Sequence, residues 1–165
     1  MRKQVVGVMG GSKATQKVAA MAERLGELIA GRGWVLLNGG RNRGVMAASA
    51  RGAKQAGGTV IGILPDATAS KASPDLDFAI VTGMRDARNL INVLSSDVVI
   101  ACPGAMGTMS EIVLALKHGK RVILLGFEAS PQLAKMGKNK QLTQVETPEE
   151  AIEQAAEVLC QASGT

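Results

Sequence analysis

Six apolar runs of strand length recur along the chain: VVGVM (5–9), WVLLN (34–38), TVIGIL (59–64), FAIVT (78–82), DVVIA (97–101) and RVILLG (121–126). Most lack the polar alternation of a strand with one wet face. A strand apolar on both faces must be covered on both faces, the situation of a parallel sheet between two layers of helices. The intervening segments supply those helices. Val18, Met21, Ala22, Leu25, Leu28 and Ile29 repeat at helical spacing over residues 15–31. Ala87, Leu90, Ile91 and Leu94 form a second stripe, and Met109, Ile112, Val113 and Leu116 a third. Segment 44–56 is rich in alanine and is expected to approach the sheet closely. Near the C-terminus, ETPEEAIEQAAEVL opens with Thr147 as cap, Pro148 at the first helical position and Glu150 closing a capping box. Ile152, Ala155, Ala156 and Leu159 then supply its apolar stripe. The alternation predicts an α/β fold, a three-layer, Rossmann-like, doubly wound parallel sheet in a single domain over residues 1–162, with 163–165 as a frayed tail.

Composition excludes several function classes. The net charge of +5 is modest, and Trp34, Phe78 and Phe127 are the only aromatic residues, so there is no stacking platform for a single strand and no nucleic-acid partner is expected. Cys102 and Cys160 lie far apart and His118 is the sole histidine, which argues against any protein metal site. Both thiols read as packing residues in a reducing compartment. No run reaches the ~18 apolar residues of a membrane span. The first apolar segment is too short for a secretory signal core, and a cytoplasmic location is expected.

Doubly wound sheets bind ligands beyond the carboxyl ends of their strands, where the strand order reverses. Three loops that follow strands are rich in glycine. MGGSKAT (9–15) offers the N–H groups of Gly10 and Gly11 to an anion and adds Ser12 and Lys13. It has neither Walker spacing nor a GxGxxG pattern, and a tight strand–helix turn is the plain alternative. NGGRNRG (38–44) sets Gly39, Gly40 and Gly44 around Arg41 and Arg43; arginines at a ligand edge suit a phosphate clamp, whereas a solvated turn needs only the glycines. ACPGAMGTMSE (101–111) holds Pro103, Gly104, Gly107 and Thr108 just before an amphipathic run. Thr108 and Glu111 match a T-x-x-E capping box, and the same helix start is an anion site, so both readings stand. Arg85 and Arg88 follow the fourth run. Arg88 falls near a helix start and projects over the same strand edge, while Asp86 is expected to pair with an arginine at the surface.

Together these loops resemble the lysine-decarboxylase-like, or LOG-like, Rossmann family, whose signature is an arginine at a helix start followed by PGGxGTxxE. Arg88 precedes Pro103 by fifteen residues, and PGAMGTMSE meets the signature at every defined position but one. The likeness runs from VGVMGG through GKRVILLG and implies a homo-oligomer that binds a phosphorylated, nucleotide-like compound. Within the superfamily, GWVLLNGGRNRGVMAASARGAKQAGGTVIGILP and ARNLINVLSSDVVIACPGAMGTMSEIVLALKHGKRVILLG are similar to the molybdenum cofactor carrier proteins.

That nearer resemblance implies a protein that binds, protects and carries molybdenum cofactor (molybdopterin) without turnover. Its binding set would be Gly10, Gly11, Ser12, Lys13, Gly39, Gly40, Arg41, Arg88, Pro103, Gly104, Gly107 and Thr108. No metal ligand from the protein is implied, because the pterin's own dithiolene holds the molybdenum. A dimer or tetramer is implied, with a molybdoenzyme or cofactor-assembly protein as partner. The wider family implies instead a phosphoribohydrolase that frees the base of a nucleoside 5′-monophosphate, with Arg88 and Glu111 as the catalytic pair; a nucleotide sensor is a third reading. Ala105 replaces the second motif glycine, and Ser110 stands where those enzymes commonly carry a further glutamate. Both departures move the expectation from cleaving towards carrying. Loop 65–77, PDATASKASPDLD, is polar and expected to be mobile.

Overall fold

The computed structural model describes residues 2–138 and 140–162. Among them, seven strands form one parallel sheet: β1 (Val5–Met9), β2 (Val35–Asn38), β3 (Thr59–Leu64), β4 (Phe78–Val81), β5 (Val98–Ala101), β6 (Val122–Leu125) and β7 (Leu142–Val145). Their spatial order is β4-β3-β2-β1-β5-β6-β7. Six α-helices connect or follow them: α1 (Gln16–Gly31), α2 (Gly44–Gln55), α3 (Arg88–Ser95), α4 (Met106–Lys117), α5 (Pro131–Met136) and α6 (Pro148–Ala162). The three-layer, doubly wound, Rossmann-like architecture is as expected. The predicted tail, 163–165, lies outside the described residues. None of the described helices is long and apolar enough to cross a membrane.

Alternation along the strands divides the core in two. Val6, Val8, Leu36, Val60, Ile100 and Ile123 face α1, α2 and α6, whereas Met9, Leu37, Ile63, Val99 and Leu124 face α3, α4 and α5. Residues on neighbouring strands stay in register, Val8 beside Ile100 and Gly7 beside Leu37, so each layer is continuous. The alanine-rich α2 packs its Ala48, Ala50 and Ala53 into the same core as β1, β2 and β3, and it also meets α1 at very close range. A Cβ at Gly26 would lie 2.1 Å from the Ser49 carbonyl oxygen, and one at Gly52 1.9 Å from that of Glu23.

Several expectations need correction. The sequence reading passed over α5 and β7; α5 is short, and β7 is a half-buried edge strand with a weak apolar signal. At the opposite edge β4 is exposed along its length, with Phe78 at 59%, so it is not the doubly covered strand its composition implies. The Thr147/Glu150 capping box forms as read: Glu150 N–H donates to Thr147 Oγ1 (3.2 Å) and Thr147 N–H to Glu150 Oε2 (3.1 Å). The Thr108/Glu111 box does not. Helix α4 begins at Met106 after Ala105, no side chain caps it, and Thr108 and Glu111 are buried inside it. The stripes of α3 and α4 are likewise rotated. Their buried residues are Asn89, Asn92 and Val93, and Thr108, Glu111, Ile112, Ala115 and Leu116, while Leu94 and Met109 are exposed. Cys102 is core, but Cys160 is exposed.

Loop 65–77 is also pinned where mobility was expected. Ala72 bridges Arg41, Ser73 N–H donates to the Gly40 carbonyl (2.8 Å), and Asn42 N–H donates to that of Lys71 (2.9 Å).

Candidate functional site

The strand order reverses between β1 and β5, and the loops leaving those strands meet there: Gly11 N–H donates to the Pro103 carbonyl at 3.1 Å. Around this switch point the carboxyl ends of the strands enclose a cavity of about 270 Å³. Its walls come from the loops after β1 and β2 and from the starts of α3 and α4.

Each wall has a local cause. Buried Asn38 ends β2 and accepts from Gly40 N–H (2.8 Å) while donating to the Met46 carbonyl (2.9 Å) and Ser49 Oγ (3.1 Å), which folds the second glycine loop onto α2. Gly44 has φ +50°, and a Cβ there would come within 2.2 Å of the Gly11 carbonyl oxygen, so the first two loops touch through glycine. Gly39 makes room for Arg88, since a Cβ at that position would lie 2.3 Å from Arg88 Nη1. The guanidinium then reaches across the end of β3, donating from Nη1 to the Ile63 carbonyl (2.7 Å).

Arg88 and Glu111 both line the cavity without forming an ion pair. Glu111 accepts from Asn92 Nδ2 (2.8 Å) and is 7% exposed. Burial pushes its carboxyl up to about 7, opposed by the Asn92 hydrogen bond and the Arg88 charge. Burial also holds the Arg88 guanidinium below its ordinary value, with Glu111 opposing. Arg88 Nε and Asn92 Oδ1 are buried with no hydrogen-bond partner. An orphan donor and an orphan acceptor beside a carboxyl are costly in an interior; of the two residues only Arg88 lines the cavity, and Asn92 is fully buried behind it.

Gly10, Gly11, Ser12, Gly39, Arg41, Arg88, Gly107 and Thr108, of the residues expected to bind, line this cavity, as does Glu111. Lys13, Pro103 and Gly104 border an adjoining hollow that shares Gly11, Ser12 and Ala105 with the cavity. Gly40, at φ +77°, packs against Gly62 and serves the turn. The Gly11 N–H is engaged by Pro103 and so is not free for an anion. Arg41 is held by Asp66 through two bonds (2.7 and 2.8 Å), and Arg41 pulls that carboxyl down to about 2. This pairing replaces the one expected for Asp86, which lines the cavity and forms no ion pair among the described residues. Asn89 was also missed: it lines the cavity and donates to Ser110 Oγ (2.9 Å), which donates to the Gly107 carbonyl (2.7 Å). A second polar residue directly beside Arg88 at the start of α3 was the available signal.

The cavity suits an anion with polar substituents. The first N–H groups of α4 have no partner inside the helix and no side-chain cap, and they carry the positive end of its dipole. A Cβ at Gly107 would meet nothing within 4 Å, so open space lies against that first turn. Ala105 sits at φ −103°, which any residue adopts, and its replacement of glycine leaves the turn intact. Among the described residues no cluster of His, Cys, Asp or Glu could hold a metal ion.

The family model described as the SLOG cluster4 family matches residues 3–152. The molybdenum cofactor binding protein of the phototrophic bacterium Rippkaea orientalis superposes with a TM-score of 0.89 at 48% identity, covering 96% of this chain and 99% of that one. The molybdenum cofactor carrier protein of Chlamydomonas reinhardtii superposes with a TM-score of 0.87 at 40% identity, over 96% and 99%. A cytokinin riboside 5′-monophosphate phosphoribohydrolase of Mycobacterium tuberculosis is 37% identical over 101 residues, 60% of this chain and 54% of that enzyme.

Proposed function

The chain belongs to the SLOG cluster4 family, and on that premise we propose that it binds and carries molybdenum cofactor without turning it over. The observation that carries this reading is the cavity at the switch point, where the uncapped start of α4, Thr108, Ser12 and Arg88 converge on a space bounded by glycine. A phosphorylated pterin places its phosphate against the N–H groups of Gly107 and Thr108. Arg88, which lines the cavity, offers its ring and hydroxyl groups a guanidinium whose Nε the protein leaves unpaired. The near full-length likeness to proteins of that description supports the carrier over the hydrolase, whose relative aligns over little more than half its length. Exposed Leu94, Met106 and Met109 fit a homo-oligomer, and the free thiols fit the cytoplasm.

One observation favours the hydrolase as second reading: Arg88 and Glu111 share the cavity, and a carboxyl near 7 is suited to proton transfer. Two assays separate them. Protein loaded with molybdenum cofactor is passed through gel filtration and the eluate oxidised to the fluorescent pterin derivative. Co-elution above an albumin control is expected, and its absence overturns the carrier. Incubation with AMP is expected to release no adenine; release that disappears in Glu111→Ala establishes the hydrolase.

A further inference from the structure

The net charge of this protein is concentrated in one place. Residues 117–140 hold six of the chain's 19 Lys and Arg (Lys117, Lys120, Arg121, Lys135, Lys138 and Lys140) against one of its 14 Asp and Glu, so the remainder is charge-balanced. The fold gathers most of these residues at the edge opposite the ligand cavity. Lys117 ends α4, Arg121 precedes β6, and Lys138 and Lys140 precede β7. The sheet is parallel, so this is the amino-terminal edge of those strands, about 15 Å along α4 from Gly107 to Lys117.

Between these charges lies a groove of about 770 Å³, lined by Val113, Leu116, Lys117, Gly119, Arg121, Met136, Lys138 and Gln141. Its floor is apolar, and Met136 is 45% exposed. Helix ends explain part of the charge: Lys117 complements the α4 terminus, and Lys120 donates to the Ser96 carbonyl (2.6 Å) at the end of α3. They do not explain the lysines before β7. Lys117, Lys120, Lys135, Lys138 and Lys140 form no ion pair among the described residues, although seven pairs hold basic side chains elsewhere. An apolar floor inside an unbalanced basic rim matches a ligand of the reverse pattern.

We infer that this groove is a docking site for an acidic segment of another protein, one that sets an apolar side chain between carboxylates. A single strand of nucleic acid would find no aromatic side chain in the lining, and a flat lipid surface cannot reach a concave floor. A partner seated here leaves the ligand cavity open at the other end of α4. That the partner delivers or receives the cavity's ligand rests on the carrier reading; the groove does not.

The test is fluorescence anisotropy with a fluorescein-labelled peptide, acetyl-Glu-Glu-Asp-Leu-Phe-Glu-Glu-amide, on the full chain. Saturable binding is expected, weakened at least tenfold by Lys117→Glu with Lys138→Glu and by Met136→Ser, and absent for the peptide with lysine at every acidic position. No saturable binding, or binding unchanged in these variants, overturns the inference. So does tighter groove-dependent binding of phosphatidylserine vesicles or of oligo-dT. The variants lie far from the cavity and are expected to keep the wild-type melting temperature and cofactor retention. Peptide binding without cofactor retention in the wild type removes the carrier reading and leaves the groove; retention without peptide binding does the reverse.

Discussion

Replacing Glu111 by glutamine reports directly on the electrostatics of the cavity floor. Burial lifts this carboxyl from the ordinary 4.5 to about 7 in the folded chain. The unfolded chain therefore ionises first, and it does so at no cost. Below 4.5 both states are protonated and Glu111 has no effect on stability. Between 4.5 and 7 the folded state loses stability at about 1.4 kcal/mol per pH unit, and above 7 the penalty is constant at roughly 3 kcal/mol. Glutamine keeps an oxygen for Asn92 Nδ2 and removes the charge. Glu111→Gln is thus expected to exceed wild type by about 3 kcal/mol at pH 8 and by about 1 kcal/mol at pH 5. For a chain of this size that is a melting temperature roughly 6–12 °C higher at the upper pH. Urea melts of both proteins at the two pH values give the difference. A gain that is the same at both refutes the reasoning. Binding should follow the same group: an anionic ligand is held more tightly below pH 7, and the excess over the ligand's own titration vanishes in Glu111→Gln.

Gly107→Leu places a side chain in the open space at the first turn of α4. Ligand retention is expected to fall at least tenfold while the melting temperature holds or rises, since leucine favours a helix by about 0.5–1 kcal/mol over glycine; normal retention would remove the α4 terminus from the site. Gly39→Ala drives a methyl against the Arg88 guanidinium and is expected to weaken binding as much as Arg88→Ala, by calorimetric titration with the ligand. Burial pushes the Cys102 thiol up to about 12, whereas Cys160 is exposed, so a thiol reagent should label one cysteine in native protein and two after unfolding, counted by mass.

The loops that build the cavity were legible in sequence because glycine and arginine after a buried strand have few other uses. Gly39 and Arg88, read from separate motifs, prove to be one device, the missing Cβ of the first admitting the second. What periodicity misread were the helices that face the cavity. A stripe of apolar residues marks a buried face only when the neighbouring layer is apolar too. Here α3 and α4 face polar chemistry, so Asn92, Thr108 and Glu111 point inwards and Leu94 and Met109 outwards. Spacing also matched Thr108 and Glu111 to a capping box, because it cannot tell where the first turn begins.

The sequence by itself determined six of the seven strands, the doubly wound parallel class of the sheet and the edge at which the glycine loops gather, since two-sided apolar strands separated by helices admit few other arrangements. Tertiary structure alone decided charge. It gave Arg41 to Asp66, left Arg88 beside a carboxyl it does not pair with, and drew Lys117, Arg121 and Lys138 around an apolar groove. Chain distance carries no information about these neighbours, and the strength of each charge depends on the water its neighbours exclude.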